Sequence, residues 1–385
     1  VVEQERMDDY MENNNLTTVE IDLDAFSANL AEIRRFVGAG VEVMPVVKAD
    51  AYGHGGLEIS KRCLKDGIGT LVVSSLSEAA ILRESGIEAK IVVLFGPLAG
   101  EEECFIRHRL TPVLYTLGAI KRLGKAARVL KEPISIHIIV DTGMGRIGFL
   151  PETIRDVLNL LPKYPEIEFE GIMTHFSSAY TEDRTFTEGQ IKLFKDILST
   201  IRDRGLSTPF VHVANSAGII NYHESFFNGV RPGIMLYGAR PSEEEIRPDL
   251  RIEPVMTFKT QIVQVRPVKA GMPIGYSRTF ITKRDSIIGT IPVGYANGYS
   301  RAISNRAEVL VRGHRVPQIG TVCMDITMID LTDLPEATIG DEVVLFGRQG
   351  GGFISVDEVA EWGNTIPYEI LCQVGKNIDK RYIKR

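Results

Sequence analysis

The sequence predicts an α/β chain: an N-terminal (β/α)8, TIM-like barrel followed by a smaller, mostly β C-terminal domain. Three observations carry this reading. The length of 385 residues, 44% hydrophobic and 24% charged, exceeds one ordinary small domain and has the make-up of a soluble globular protein. Short β-branched runs alternate with helical patterns through the first two-thirds, without the polar alternation of a half-exposed sheet, as strands buried on both faces require. Beyond about residue 255 the texture changes to short strands and Gly/Pro turns.

Eight strand candidates follow one another at 41–48, 69–74, 90–95, 110–114, 134–141, 168–175, 210–214 and 229–237. The stretches between them are long enough for the crossover helices that parallel strands need, and eight is the count that closes a barrel. A helix is expected at 25–37 after Asp24 as cap, and another at 77–85 capped by Ser77. Residues 241–254, PSEEEIRPDLRIEP, read as an interdomain linker. The division expected is 19–245 for the barrel and 246–385 for the β domain, which the N-terminal strand 17–23 is a candidate to join. In the second part strands are expected at 256–268, 286–293, 307–312, 323–330 and 341–347, with a single helix at 356–362.

Charge and cysteine usage exclude several functions. Lys plus Arg 44 against Asp plus Glu 50 gives a net charge of -6 without a basic stripe, which argues against a nucleic-acid partner. No apolar run is long enough to span a bilayer and the N-terminus is polar and acidic, so a cytoplasmic protein without a membrane partner is expected. Cys63, Cys104, Cys323 and Cys372 are scattered, which fits reduced thiols and neither a disulfide framework nor a metal site.

Lys48 is the first candidate for chemistry. It closes the apolar run VEVMPVVK and precedes ADAYGHGG, a turn of small residues. The C-terminal strand ends form the active-site face of a (β/α)8 barrel. A lysine desolvated there has a lowered pKa and suits a Schiff-base nucleophile; the alternative is a lysine snorkelling from a strand end. After the seventh strand comes HVANSAG, with Asn215 and Ser216 where a helix would open, and the eighth carries RPGIMLYG, with Arg231, Gly233 and Ile234. The loops after strands seven and eight are the habitual phosphate site of such barrels, although Asn215 could be an ordinary N-cap and Gly233 a packing glycine. A Schiff-base lysine and a phosphate cradle in one barrel mouth point together at pyridoxal 5'-phosphate.

Seven stretches then match one family in order: VKADAYGH at Lys48 and Tyr52, DTGMGRIG at Arg146, Asn215-Ser216, RPG at Arg231 and Gly233, GYSRTF at Tyr276, CMD at Met324, and PYE at Tyr368. From about residue 18 to 380 the chain resembles alanine racemase, a pyridoxal-phosphate enzyme of fold type III. The resemblance implies that Lys48 carries the cofactor through a Schiff base and acts as base on one face of the substrate Cα. Tyr276, from the β domain of a partner subunit, would act on the opposite face, so a homodimer with shared active sites is implied. Tyr52, Ser216, Gly233, Ile234 and Tyr368 would hold the phosphate, and His175 and Arg231 would form a hydrogen-bonded chain beside Tyr276. Arg231 would face the pyridine nitrogen; having no acceptor and keeping its proton, it would leave that nitrogen unprotonated and disfavour transamination. Arg146 would bind the substrate carboxylate and the cofactor phenolic oxygen, helped by the Met324 backbone N–H. The activity implied is interconversion of L- and D-alanine for peptidoglycan, the alternative being a broad-specificity or serine/lysine racemase of the same fold. One departure is visible: where many members carry a carbamylated lysine two residues before the motif aspartate, Ile139 precedes Asp141 here. Arg146 must then be held by something else.

Overall fold

The computed structural model describes residues 16–204, 210–241 and 250–384. The expected linker at 241–254 therefore lies largely outside the described residues, as does the polar N-terminal stretch. Strand β1 (Thr18–Asp22) comes first and leads directly into the helix Leu23–Val37. The cap of that helix is Asp22 rather than Asp24: Asp22 is extended, and its carboxylate accepts the N–H groups of Asp24 and Ala25 at 3.0 Å each. Asp24 instead sits in the first turn, where its charge meets the positive helix end and pairs with Arg62 at 2.9 Å.

The barrel strands are β2 (Glu42–Val43), β3 (Thr70–Val73), β4 (Lys90–Val93), β5 (Thr111–Leu114), β6 (Ile134–Ile139), β7 (Ile167–Met173), β8 (Phe210–His212) and β9 (Gly229–Val230). They pair in parallel in the order β2-β9-β8-β7-β6-β5-β4-β3. The ring closes through a bridge between Val46 and Val72, with Val47 N–H donating to Val72 O at 2.8 Å and Val72 N–H to Pro45 O at 2.9 Å. Two strands are shorter than their apolar runs. Pro45 lacks an N–H for the ladder within 41–48, and Pro232 does the same in 229–237, where the chain turns into a 3-10 segment, Ile234–Tyr237. The helix Leu76–Glu84 is capped by Ser75 instead of Ser77, in a reciprocal box with Glu78.

The second part is a mostly antiparallel sheet. Its strands are β10 (Met256–Gln261), β11 (Gln264–Val268), β12 (Pro273–Ile274), β13 (Phe280–Ile281), β14 (Ser286–Ile291), β15 (Glu308–Val311), β16 (His314–Ile319), β17 (Thr327–Asp330), β18 (Glu342–Gln349), β19 (Gly352–Ile354) and β20 (Lys380–Ile383). The order is β11-β14-β17-β16-β15-β18-β10-β1-β20, with β19 on β18 and β12–β13 a separate hairpin. Strand β1 thus belongs to this sheet, antiparallel to β10 and parallel to β20. The run 256–268 is two strands, and 323–330 becomes strand only at Thr327, because Cys323 N–H closes a turn onto Ile326 O at 3.0 Å.

The expected helix at 356–362 is present as Val356–Gly363, capped by Ser355 with Glu358. A second helix, Pro367–Asn377, was not expected, although Pro367 occupies the first helical position, where proline is favoured. It matters for the site because it packs backbone to backbone against the turn after Lys48. A Cβ on Gly53 would lie 2.3 Å from Leu371 O, and one on Gly375 2.0 Å from Gly53 O. Among the described residues no helix is long and apolar enough to cross a membrane.

Candidate active site

Lys48 stands where the closing edge of the barrel ends, and the four residues after it are all left-handed, with φ of 52° to 55° from Ala49 to Tyr52. Such backbone costs an L-residue roughly 1–2 kcal/mol per position, so the surroundings must enforce it. They do. Glu78 Oε1 accepts Ala49 N–H at 2.6 Å while its Oε2 accepts Ser74 N–H at 2.8 Å. Asp50 accepts Gly56 N–H at 2.6 Å and pairs with Lys380 of β20 at 3.0 Å. The turn holds Lys48 half-buried at the mouth. Burial lowers its pKa first, and the cations Arg146 and Arg231 add to this against the opposing pull of Glu78.

Lys48 lines a cavity of about 300 Å³. The structure brings Tyr52, Arg146, His175, Asn215, Ser216, Arg231, Gly233, Ile234 and Tyr368 to the same cavity. Three cationic side chains and no aspartate or glutamate line it among the described residues, which suits an anionic ligand. A wider cleft of about 770 Å³ shares His175, Asn215 and Tyr368 with it.

At one end Ser216 Oγ accepts Gly233 N–H at 2.9 Å, and Asn215 caps the helix Ser216–Asn221 by accepting Gly218 N–H at 2.9 Å. The Tyr52 ring lies between Tyr237 and Tyr368, with centroids at 4.9 and 5.9 Å. Its hydroxyl reaches the Gly233 backbone so closely that a Cβ there would fall 2.4 Å away. Burial raises the Tyr52 phenol well above its ordinary value and Tyr368 to about 12, so both remain protonated donors. Tyr237, which the motifs did not single out, donates to Val46 O at 2.9 Å and so props the strand that ends in Lys48.

Arg231 is 3% exposed. Its Nη1 donates to His212 Nδ1 and His212 O at 2.7 and 2.8 Å, and its Nη2 to Thr174 O and Val213 O at 2.9 Å each. His175 Nδ1 lies 3.4 Å from Nη2. Burial, followed by repulsion from Arg231, drives His175 and His212 well below the ordinary histidine range, so both are neutral. Burial and Arg146 together lower Arg231 to about 9; at neutral pH it keeps its proton.

The loop that carries Arg146 is organised by Asp141, whose Oδ1 accepts N–H from Gly143, Met144 and Gly145 at 2.9, 2.8 and 3.1 Å. Against the effect of burial, these bonds hold the Asp141 carboxyl below its ordinary value. The Arg146 side chain is exposed and makes no hydrogen bond or ion pair among the described residues. Ile139 lines the cavity and is 4% exposed, an apolar wall with nothing to offer a guanidinium.

Tyr276 and Met324 are not brought to this cavity within one chain. They lie on the β domain, 69% and 55% exposed, beside the likewise exposed Ile326 and Tyr295. The sequence reading assigned no part to His212, His137, Glu170 or Glu78. The one signal for Glu170 was a charge inside the apolar run EFEGIM, where an acid is costly unless partnered.

A parallel barrel with a desolvated lysine and an anion-accepting mouth, joined to an antiparallel β domain, defines a barrel protein whose ligand cavity sits at the strand ends. The family model for the alanine racemase N-terminal domain matches residues 21–241, and that for the alanine racemase C-terminal domain matches 255–382. The chain is 41% identical over 371 residues to alanine racemase 2 of Caldanaerobacter subterraneus, covering 96% of this chain and 95% of that protein. A Bacillus anthracis alanine racemase with bound L-Ala-P superposes with a TM-score of 0.88 at 36% identity, covering 96% and 95% of the two chains. A Bartonella henselae alanine racemase with covalently bound pyridoxal phosphate gives 0.86 at 31%, covering 96% and 99%. This chain belongs to the alanine racemase family and is an amino-acid racemase.

Proposed function

We propose that the enzyme interconverts L-alanine and D-alanine with pyridoxal 5'-phosphate on Lys48, moving the Cα proton between two bases. The observation that carries this is the desolvated Lys48 at the head of a cavity with three cations and no carboxylate. The group fits the residues present: the cofactor brings a phosphate and a phenolic oxygen, and the substrate a carboxylate, into a site that supplies only positive and neutral donors. When bound, pyridoxal phosphate supplies an electron sink that makes the substrate Cα proton acidic. Lys48 removes or returns that proton on one face. Tyr276 of the partner subunit does so on the other, which makes the working unit a homodimer; the exposure of Tyr276 in the single chain supports this. Each base contributes roughly 10²–10⁴-fold.

Tyr52, Ser216, Gly233, Ile234 and Tyr368 would hold the phosphate, with Asn215 capping the helix that Ser216 opens. Arg231, a pure donor, would face the ring nitrogen and leave it unprotonated, which would disfavour transamination. Arg146 and the Met324 N–H of the partner subunit orient the substrate carboxylate, and His175 stands beside the incoming tyrosine. The reading places the enzyme in the cytoplasm, where thiols such as Cys104 stay reduced, supplying D-alanine for peptidoglycan.

Incubation with L-alanine in deuterated water tests it: the α-proton and optical rotation should be lost together, and release of carbon dioxide instead would sink the reading. The unanchored Arg146 beside Ile139 favours a second reading, a broader substrate range that reaches serine or lysine. A panel of alanine, serine and lysine separates the two.

A further inference from the structure

The barrel interior carries a line of polar side chains that the proposed chemistry does not use. Arg231 is buried without an ion pair of its own among the described residues. Its Nη1 meets His212 Nδ1 at 2.7 Å, and His212 Nε2 lies 2.9 Å from His137 Nδ1. His137 Nε2 in turn lies 3.6 Å from Glu170 Oε2, longer than a full hydrogen bond. That oxygen is buried and has no hydrogen-bond partner among the described residues, so the imidazole N–H is the donor at hand. Glu170 Oε1 is paired with Lys90, the first residue of β4. The line therefore crosses from the mouth of the barrel to its opposite rim.

Its two ends fix its direction. A guanidinium has donors only, and an ionised carboxylate acceptors only. His212 Nδ1 must accept from Arg231, so the His212 proton is on Nε2; it is given to His137 Nδ1, so the His137 proton is on Nε2 and faces Glu170. The fold is shaped around this line. The pairing of β6 and β7 slips between Ile136 and His137, which face Phe169 and Gly171 and leave Glu170 as the extra residue, the device by which a bulge re-aims a side chain. Gly171 makes the room: a Cβ there would meet the His137 ring at 2.7 to 2.9 Å. Burial lowers the pKa of both imidazoles, which keeps them neutral.

We propose that Glu170 is a positioning residue for Arg231, acting through neutral Nε2–H tautomers of His137 and His212. It terminates the chain that orients the guanidinium, so that Nε–H, its one donor without a protein acceptor among the described residues, stays available to the cavity Arg231 lines. The proposal rests on the reading of Arg231 as the partner of the cofactor ring nitrogen.

The test has two arms. In protein labelled with 15N-histidine and free of substrate, long-range 1H–15N spectra should show His137 and His212 as neutral Nε2–H tautomers. An Nδ1–H tautomer or an imidazolium at either position overturns the proposal. In the loaded enzyme, Glu170→Gln keeps the size and an acceptor oxygen but removes the charge, and Glu170→Leu removes both. For alanine, kcat should fall about tenfold in the first and further in the second. KM should stay within about twofold, and the absorbance maximum of bound pyridoxal phosphate should shift. Unchanged kcat and spectrum, or a loss confined to KM or melting temperature, overturns it. Should Glu170→Leu fail to fold, the wild-type tautomers and Glu170→Gln still decide. Absence of alanine turnover in the wild type would refute the alanine reading alone, since the tautomers are read without substrate.

Discussion

Replacing Gly233 by alanine isolates the phosphate end of the cavity. Gly233 is not left-handed, with φ of -118° and ψ of -98°, and the contact a side chain would make there is set by its neighbours. The new Cβ would lie 2.4 Å from the Tyr52 hydroxyl and 3.1 Å from Cζ. The ring cannot step back, because it is buried between Tyr237 and Tyr368. Overpacking of this kind costs roughly 1–3 kcal/mol, and if the strain is borne where the phosphate binds, affinity for pyridoxal phosphate falls about 5- to 150-fold. Titration of the cofactor-free protein with pyridoxal phosphate, followed by visible absorbance, measures it. Tyr52→Phe removes the atom that is struck, so adding Gly233→Ala to it should cost at most about twofold more, a strongly non-additive cycle. Wild-type affinity in Gly233→Ala, or additive losses in the pair, would refute the packing of Tyr52 on Gly233 as the shape of the cradle.

Lys48→Ala should abolish both turnover and the visible absorbance of bound cofactor, read on the same sample. Mixing inactive Lys48→Ala and Tyr276→Phe subunits with exchange should restore about a quarter of wild-type activity, because half the dimers are hybrids with one intact site; no recovery would argue that each chain completes its own site. Gly171→Ala presses a Cβ into the buried His137 ring and should destabilise by roughly 1–3 kcal/mol, read as a lower denaturant midpoint. Glu170 is held at about 2 instead of 4.5, chiefly by His137 and further by Lys90 against burial. A lowered carboxylate pKa gives stability that is complete above pH 4.5 and is lost as pH falls toward 2, so Glu170→Gln should flatten that part of the acid unfolding curve.

What was legible in the sequence was local. Lys48 at the end of an apolar run, and the Asn215-Ser216 and Arg231–Ile234 stretches, reach one cavity because barrel topology delivers strand ends to one face. The eight strands were readable because most of their residues are buried and the runs are mostly apolar. Strand lengths were not, since prolines at 45 and 232 cut the ladder without changing the apolar texture. The helix Pro367–Asn377 was missed although it carries Tyr368, because its hydrophobic residues follow closely on another helix and its start signal is one proline. His137 and Glu170 are 33 residues apart, and the register slip that aims one at the other leaves no mark on the chain. The capping errors at Asp24 and Ser77 are shifts of two residues each, within which neighbouring acids and hydroxyls compete for the same N–H groups.

The position of β1 has a consequence for how the chain comes to be folded. Its strand neighbours, β10 and β20, are made only after the whole barrel, and β20 is the final strand among the described residues. During synthesis β1 therefore emerges before either of its strand partners, and the sheet can be completed only after β20 has been made. The turn after Lys48 depends on the same late segment through the Asp50–Lys380 pair and the approach of Gly53 to Gly375. A nascent barrel thus lacks the contacts that enforce its left-handed turn, and Lys48 is set only once β20 has emerged.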